Sequence, residues 1–251
     1  MSRPQIPSTL TNAQGEHLDF TFHPGDPDRS EIIVLGHGVT GNKDRPFLVE
    51  MAEGWAAQGL NVIRHSWSGN GDSEGNFADS NISKEVSDLD VIIGTLTGVG
   101  FKVCYAGHSM GGAVGVRQAA RDERIEWLVS LAGIVHTKAF AEDAFGDLTP
   151  GEGLMFDKEG LILPQAYMDD LRGIDSVIEE AAKIRVPWLL LHGDADDVVP
   201  IQDSRHALAR ATTTDVQFVE LPGADHIFDP DAVPQVIEKV GAWCRDRFDR
   251  G

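Results

Sequence analysis

Short runs of apolar, β-favouring residues recur along this chain, at 18–22, 32–35, 61–64, 102–106, 127–131, 188–191 and 216–221. Each is too short for a helix and reads as a strand. Between most of them the apolar positions change to helical spacing. Over 47–58, Phe47, Leu48, Met51, Ala52 and Trp55 share one face, and Gly59 stops the pattern. The stretch 82–96 follows Asn81, a residue suited to capping a helix start. Stretches 109–121, 201–211 and 232–248 carry the same spacing. Strands alternating with helices predict an α/β fold whose mostly parallel sheet is covered on both faces.

The alternation breaks once. Between the runs at 127–131 and 188–191 lies a span too long for one crossover helix, with Phe140, Phe145, Met155, Phe156, Tyr167 and Met168 among acids and glycines. A connection of this length predicts an insertion over the site. The expected organisation is therefore a core of 1–134 and 184–251 with a cap or lid at 135–183.

Sheets of this kind gather function at the carboxyl ends of their strands. Loops with chemical potential begin there, after Leu35, Arg64, Ala106, Leu191 and Leu221. The most informative is Gly107-His-Ser-Met-Gly111, where a strand pattern stops and a helical pattern starts at once. So tight a turn pushes the hydroxyl of its central residue, Ser109, out toward a substrate carbonyl. The G-x-S-x-G pattern alone is weak, and the chain holds a second match at Gly71-Asp-Ser73-Glu-Gly75. That match sits in a Ser/Gly/Asn/Asp cluster with no strand entering and no helix leaving, so Ser73 reads as a loop serine.

A serine hydroxyl needs a base, and the base needs an orienting acid. Three aspartates, Asp194, Asp196 and Asp197, crowd the exit of the strand at 188–191. The spacing does not choose among them, and two of the three suit turn-making and helix capping. Two histidines follow. His206 lies inside a helical pattern. His226 lies on the loop Pro222-Gly-Ala-Asp-His-Ile-Phe, after a strand and before the last helix, where a proton carrier is expected. Acyl transfer also needs donors for the developing oxyanion. Met110 offers a backbone N–H at a helix start, and Val39, in Gly36-His-Gly-Val-Thr-Gly41, offers the second.

Composition narrows the field. The length of 251 residues suits one large domain or two small ones. A net charge of −19 argues against nucleic acid or an anionic membrane as partner. No apolar run is long enough to span a bilayer, and the opening Met-Ser-Arg-Pro-Gln-Ile-Pro has no signal core, so a cytoplasmic location is expected. Cys104 and Cys244 read as buried, reduced packing residues, and no metal-ligand spacing is present. No cofactor or metal is expected.

Taken together, these motifs resemble the α/β-hydrolase superfamily along nearly the whole chain. His37-Gly38 is similar to the superfamily's oxyanion motif, and Gly107-His108-Ser109-Met110-Gly111 to its nucleophile elbow. His192-Gly-Asp-Ala-Asp-Asp-Val-Val-Pro200 resembles its H-G-x-x-D-x-x-V-P, an alignment that puts the acid at Asp196. Gly223-Ala-Asp-His226 resembles its G-x-x-H. Within the superfamily, Leu35-Gly-His-Gly-Val-Thr-Gly-Asn-Lys43 most resembles cinnamoyl/feruloyl-type esterases, which carry H-G-F-T-G and a cap. One departure stands at Ser66, where relatives usually have aspartate.

The resemblance implies an α/β-hydrolase fold and a serine carboxylic-ester hydrolase. Its triad is Ser109, Asp196 and His226, and its substrates are small hydroxycinnamate or short-chain esters. The same triad also serves thioester, amide or carbon–carbon cleavage, and a non-catalytic ligand-binding homologue is the remaining alternative.

Overall fold

The computed structural model describes residues 3–228 and 231–250. Its strands are β1 (Leu10–Thr11), β2 (His17–Leu18), β3 (Phe20–His23), β4 (Glu31–Gly36), β5 (Asn61–His65), β6 (Lys102–His108), β7 (Ile125–Leu131), β8 (Trp188–Gly193) and β9 (Val216–Leu221). The helices are α1 (Pro46–Ala57), α2 (Ile82–Gly98), α3 (Met110–Ala119), α4 (Thr137–Phe145), α5 (Gln165–Ile174), α6 (Ile178–Ala181), α7 (Gln202–Arg210) and α8 (Val233–Phe248). Short 3-10 turns occur at Phe77–Asp79 and Met155–Asp157.

Seven strands form one sheet in the order β3-β5-β4-β6-β7-β8-β9. Only β3 runs antiparallel, at one edge; every other pairing is parallel. The central strands are buried on both faces, which is why β4 and β8 read as unbroken apolar runs rather than alternating ones. Side chains still alternate between two cores. Ile32, Val34, Val103, Tyr105, Leu128 and Leu190 face one core with α2 and α3. Ile33, Leu35, Cys104, Ala106, Val129 and Leu191 face the other with α1 and α8. This is the α/β-hydrolase fold.

The expected helices all form. Pro46 opens α1, and Asn81 caps α2 by accepting a hydrogen bond from the Lys84 N–H at 2.8 Å. The run at 18–22 differs from a single strand. It breaks at Asp19, whose N–H donates to Ser73 Oγ and whose carbonyl accepts from the Ser66 N–H. Leu18 pairs with Leu10 in a separate two-stranded ribbon, and Phe20 begins the sheet edge opposite His65. Side-chain alternation carries no trace of that break, because loop hydrogen bonds cause it.

The segment between β7 and β8 folds as α4, the Met155–Asp157 turn, α5 and α6. Phe140, Phe145, Met155, Tyr167 and Met168 are buried there, continuous with the α2/α3 core. Among the described residues, no helix is long and apolar enough to cross a membrane.

Candidate active site

β6 ends at His108 and α3 begins at Met110, so Ser109 alone makes the turn. Its backbone sits at φ 55°, ψ −119°, a conformation that costs about 1–3 kcal/mol for a residue with a side chain. Three hydrogen bonds hold it there. The Ser109 N–H donates to the Leu131 carbonyl at 2.9 Å, and the Ser109 carbonyl accepts from Gly112 at 2.9 Å and Ile134 at 3.1 Å. The flanking glycines serve close approach. A Cβ at Gly107 would lie 2.2 Å from the Gly111 carbonyl oxygen, and one at Gly111 would lie 2.8 Å from that of His37. On the facing loop, a Cβ at Gly38 would come within 2.7 Å of Ser109 Cβ and 3.1 Å of its Oγ.

His37 organises that loop. Its Nε2 accepts from the Trp67 N–H at 3.1 Å, so the proton sits on Nδ1, which donates to the Gly38 carbonyl at 2.8 Å. Burial, reinforced by the charge of Arg45, pushes its pKa down to about 4, and the ring is neutral. Val39 follows on the cavity wall. Met110 is fully buried at the first position of α3, where its N–H has no partner within the helix, and it does not line the cavity.

The three aspartates after β8 separate cleanly. Asp194 is exposed and accepts from the Gly223 N–H at 2.6 Å. Asp197 is exposed. The Asp196 carboxylate is wholly buried and receives four hydrogen bonds. Its Oδ1 accepts from the Val198 and Val199 N–H groups at 2.9 and 2.8 Å. Its Oδ2 accepts from His226 Nδ1 at 2.8 Å and His192 Nε2 at 3.1 Å. Burial alone raises a carboxyl's pKa, but the hydrogen bonds from His192, His226 and Val199 outweigh it and hold Asp196 well below the usual carboxylate range. The acid is therefore a charged acceptor, which fixes the proton of His226 on Nδ1 and leaves Nε2 open.

His226 lies on the loop after β9 and lines the same cavity as Ser109. Among the described residues, no hydrogen bond joins its ring to Ser109 Oγ; such contacts are commonly loose before substrate arrives. His108, beside the serine, donates from Nε2 to the His226 carbonyl at 2.8 Å. The two rings lie 4.8 Å apart between centroids. Burial first, then the neighbouring imidazole, pushes the His108 pKa down to about 3. His206 is exposed on α7, against His136 at 3.0 Å, away from this group.

The cavity between these elements has a volume of about 170 Å³. Phe47, Leu48, Phe140, Phe156, Val198 and Ile227 supply its apolar wall. Two of them, Phe140 and Phe156, come from the segment between β7 and β8.

The profile of the family described as serine aminopeptidase, S33, matches residues 27–151 and 154–230. The chain belongs to this family, Hydrolase_4. Members are α/β hydrolases, and this chain is one of them. Among curated proteins it is similar to a monoacylglycerol lipase of Mycolicibacterium smegmatis, 25% identical over 91% of this chain and 93% of that one. It is also similar to the mitochondrial palmitoyl-protein thioesterase ABHD10 of Bos taurus, 27% identical over 83% and 71%. Among solved structures, Est1E from Butyrivibrio proteoclasticus with ferulic acid bound superposes with a TM-score of 0.82. It is 22% identical and covers 96% of this chain and 98% of its own.

Several features of this Hydrolase_4 chain were not read as site residues from its sequence. His192 is a partner of Asp196: its Nδ1 accepts from Ser204 Oγ at 2.7 Å, which leaves Nε2 to donate. The motif around Asp196 contained it, so a signal existed. Arg45 and Lys158 line the cavity with no motif to announce them. Ser73 is held by structure, accepting from the Asp19 N–H and donating to the Ser66 carbonyl, both at 2.8 Å. Ser66 itself accepts from the Lys43 N–H at 3.1 Å. Among the described residues, no group of three or more His, Cys, Asp or Glu side chains is placed to hold a metal ion.

Proposed function

We propose that this protein is a serine hydrolase that cleaves small carboxylic esters through an acyl-enzyme. The observation that carries the reading is the 2.8 Å contact between His226 Nδ1 and a fully buried, ionised Asp196, with the imidazole and the strained Ser109 on one cavity wall. Asp196 holds the imidazole with its Nδ1 proton inward and stabilises the charged ring when it forms. Nε2 takes the Ser109 proton as Oγ attacks the ester carbonyl. The Val39 and Met110 N–H groups receive the oxyanion. The alcohol leaves with a proton from His226, and water deprotonated by the same ring releases the acid from Ser109. His37, Gly38, Gly107, His108 and Gly111 support this arrangement by fixing the two loops and the elbow.

Residues 135–183 act as a cap in this reading, bringing Phe140 and Phe156 over the cavity. A space of about 170 Å³ suits a single ring or a short acyl chain, since a cavity of roughly 150 Å³ accepts benzene. Together with the ferulic acid bound in Est1E, this favours hydroxycinnamate or short-chain esters over long acyl groups.

Hydrolysis of p-nitrophenyl butyrate and methyl ferulate by wild type and Ser109→Ala tests the reading. The variant should lose roughly 10⁴-fold or more in kcat. A fluorophosphonate should label wild type at Ser109 alone. Turnover by S109A near the wild-type rate overturns the assignment.

A further inference from the structure

The chain carries 40 acidic and 21 basic residues, yet among the described residues the cavity beside Ser109 is lined by two cations, Arg45 and Lys158, and by no carboxylate. Arg45 stands on the core, immediately before α1. Lys158 comes from the segment between β7 and β8. Both converge on Thr40, next to Val39: Lys158 Nζ donates to Thr40 Oγ1 at 2.9 Å, and Arg45 reaches the Thr40 carbonyl at 3.5 Å.

Among the described residues, neither cation forms an ion pair. Asp44, the neighbour of Arg45, is engaged instead by Lys43 at 2.8 Å and Arg64 at 2.5 Å. The Lys158 ammonium also lies over the Phe156 ring, 5.8 Å from its centroid. Both side chains are half-buried. Burial, then the charge of Arg45, lowers the Lys158 pKa, so the pair is held against mutual repulsion. In a chain this acidic, two cations that line one cavity with no acidic ion-pair partner among the described residues are placed to receive an anionic group. Low-dielectric walls focus their field into that space.

We propose that the substrate ester carries a carboxylate, on its acyl or its alcohol part, which Arg45 and Lys158 receive beside Ser109. The proposal rests on the ester-hydrolase reading and names its substrate class. The guanidinium has donors to spare for a forked contact, and the ammonium has two N–H groups beyond the one given to Thr40. A carboxylate there links core and cap and sets the register of the ester carbonyl relative to Ser109.

The test compares matched esters. On the acyl side, p-nitrophenyl hemiglutarate is set against p-nitrophenyl valerate. On the alcohol side, 4-carboxyphenyl butyrate is set against 4-carbamoylphenyl butyrate. In one arm, the wild-type kcat/KM should favour the anionic member by about tenfold or more. The arm that responds identifies which part bears the charge. The anionic-to-neutral ratio should fall about tenfold in Arg45→Gln or Lys158→Gln, mainly through KM, and should return in R45K or K158R. It should also fall with added salt.

A merely structural role for either residue would lower both members of a pair and leave the ratio unchanged. If neutral esters turn over and no arm prefers the anion, or if the ratio survives both Gln variants, the carboxylate proposal is overturned and the ester-hydrolase reading stands. If none of the four esters turns over and Ser109 resists a fluorophosphonate, both fall.

Discussion

His108 donates a 2.8 Å hydrogen bond from Nε2 to the backbone carbonyl of His226. The residue before the proposed nucleophile therefore holds the loop that carries the proposed base. With its pKa pushed down to about 3, the ring stays neutral and keeps this role across the working pH range. Replacing His108 by Ala should free that loop. Since ångström-scale misplacement costs up to about 10²-fold, kcat should fall roughly ten- to hundredfold with little change in KM. Steady-state kinetics on p-nitrophenyl butyrate check the split; a change confined to KM would contradict it.

The Asp196 carboxylate answers to two histidines and two backbone amides. Asp196→Asn should preserve part of this packing but remove the acceptor that fixes the His226 proton, with a loss of roughly 10⁴-fold in kcat. Asp196→Ala should lose stability as well, on the order of 3 kcal/mol, because it leaves the Val198 and Val199 amides and the His192 ring without an acceptor. Urea denaturation alongside activity separates the two effects.

Stability should decline on mild acidification. His37, His65 and His108 are buried and neutral, with pKa values pushed down to about 4, 3 and 3, mainly by burial. The unfolded chain binds protons at these residues below about pH 6.5, where the folded protein does not. The contribution is whole above that pH and drains as pH falls through about 4 for His37 and about 3 for His65 and His108. Both His65 ring nitrogens are buried and have no hydrogen-bond partner among the described residues. His65→Leu should therefore flatten the slope of unfolding free energy against pH by about one proton.

Glu85 acts in the opposite sense. It is buried on α2, its Oε2 has no hydrogen-bond partner among the described residues, and burial followed by Asp88 and Asp170 raises its pKa well above the usual carboxylate value. Its contribution is whole below about pH 4.5, where the unfolded carboxyl is also protonated, and is lost as pH rises through the folded pKa. Glu85→Gln should be more stable than wild type at pH 8, with the gap closing toward pH 4. Thermal unfolding at both pH values measures it.

Gly38→Ala should abolish activity with the fold retained. The added methyl would lie 2.7 Å from Ser109 Cβ and 3.1 Å from Oγ. Circular dichroism and fluorophosphonate labelling, read together, check this: native spectrum, no label.

The alternation of strand and helix was legible because the central strands are doubly buried and the helices one-sided, so apolar spacing reported both. The elbow was legible because Gly107 and Gly111 are required by backbone contacts within that same segment. The break at Asp19 was not, since it depends on hydroxyl and backbone groups of residues 66 and 73. The choice of Asp196 over its neighbours came from family resemblance and not from spacing: what singles it out in the fold is His192, four residues earlier, and His226, thirty later. Arg45 and Lys158 lie 113 residues apart, and only folding brings them to one wall.

Val198 gives its backbone N–H to Asp196 while its side chain lines the cavity. Main chain and side chain thus serve separate tasks at one position. Saturation libraries aimed at new specificities can recontour the wall at 198 with every residue except proline, because the amide that steadies the acid is common to all of them.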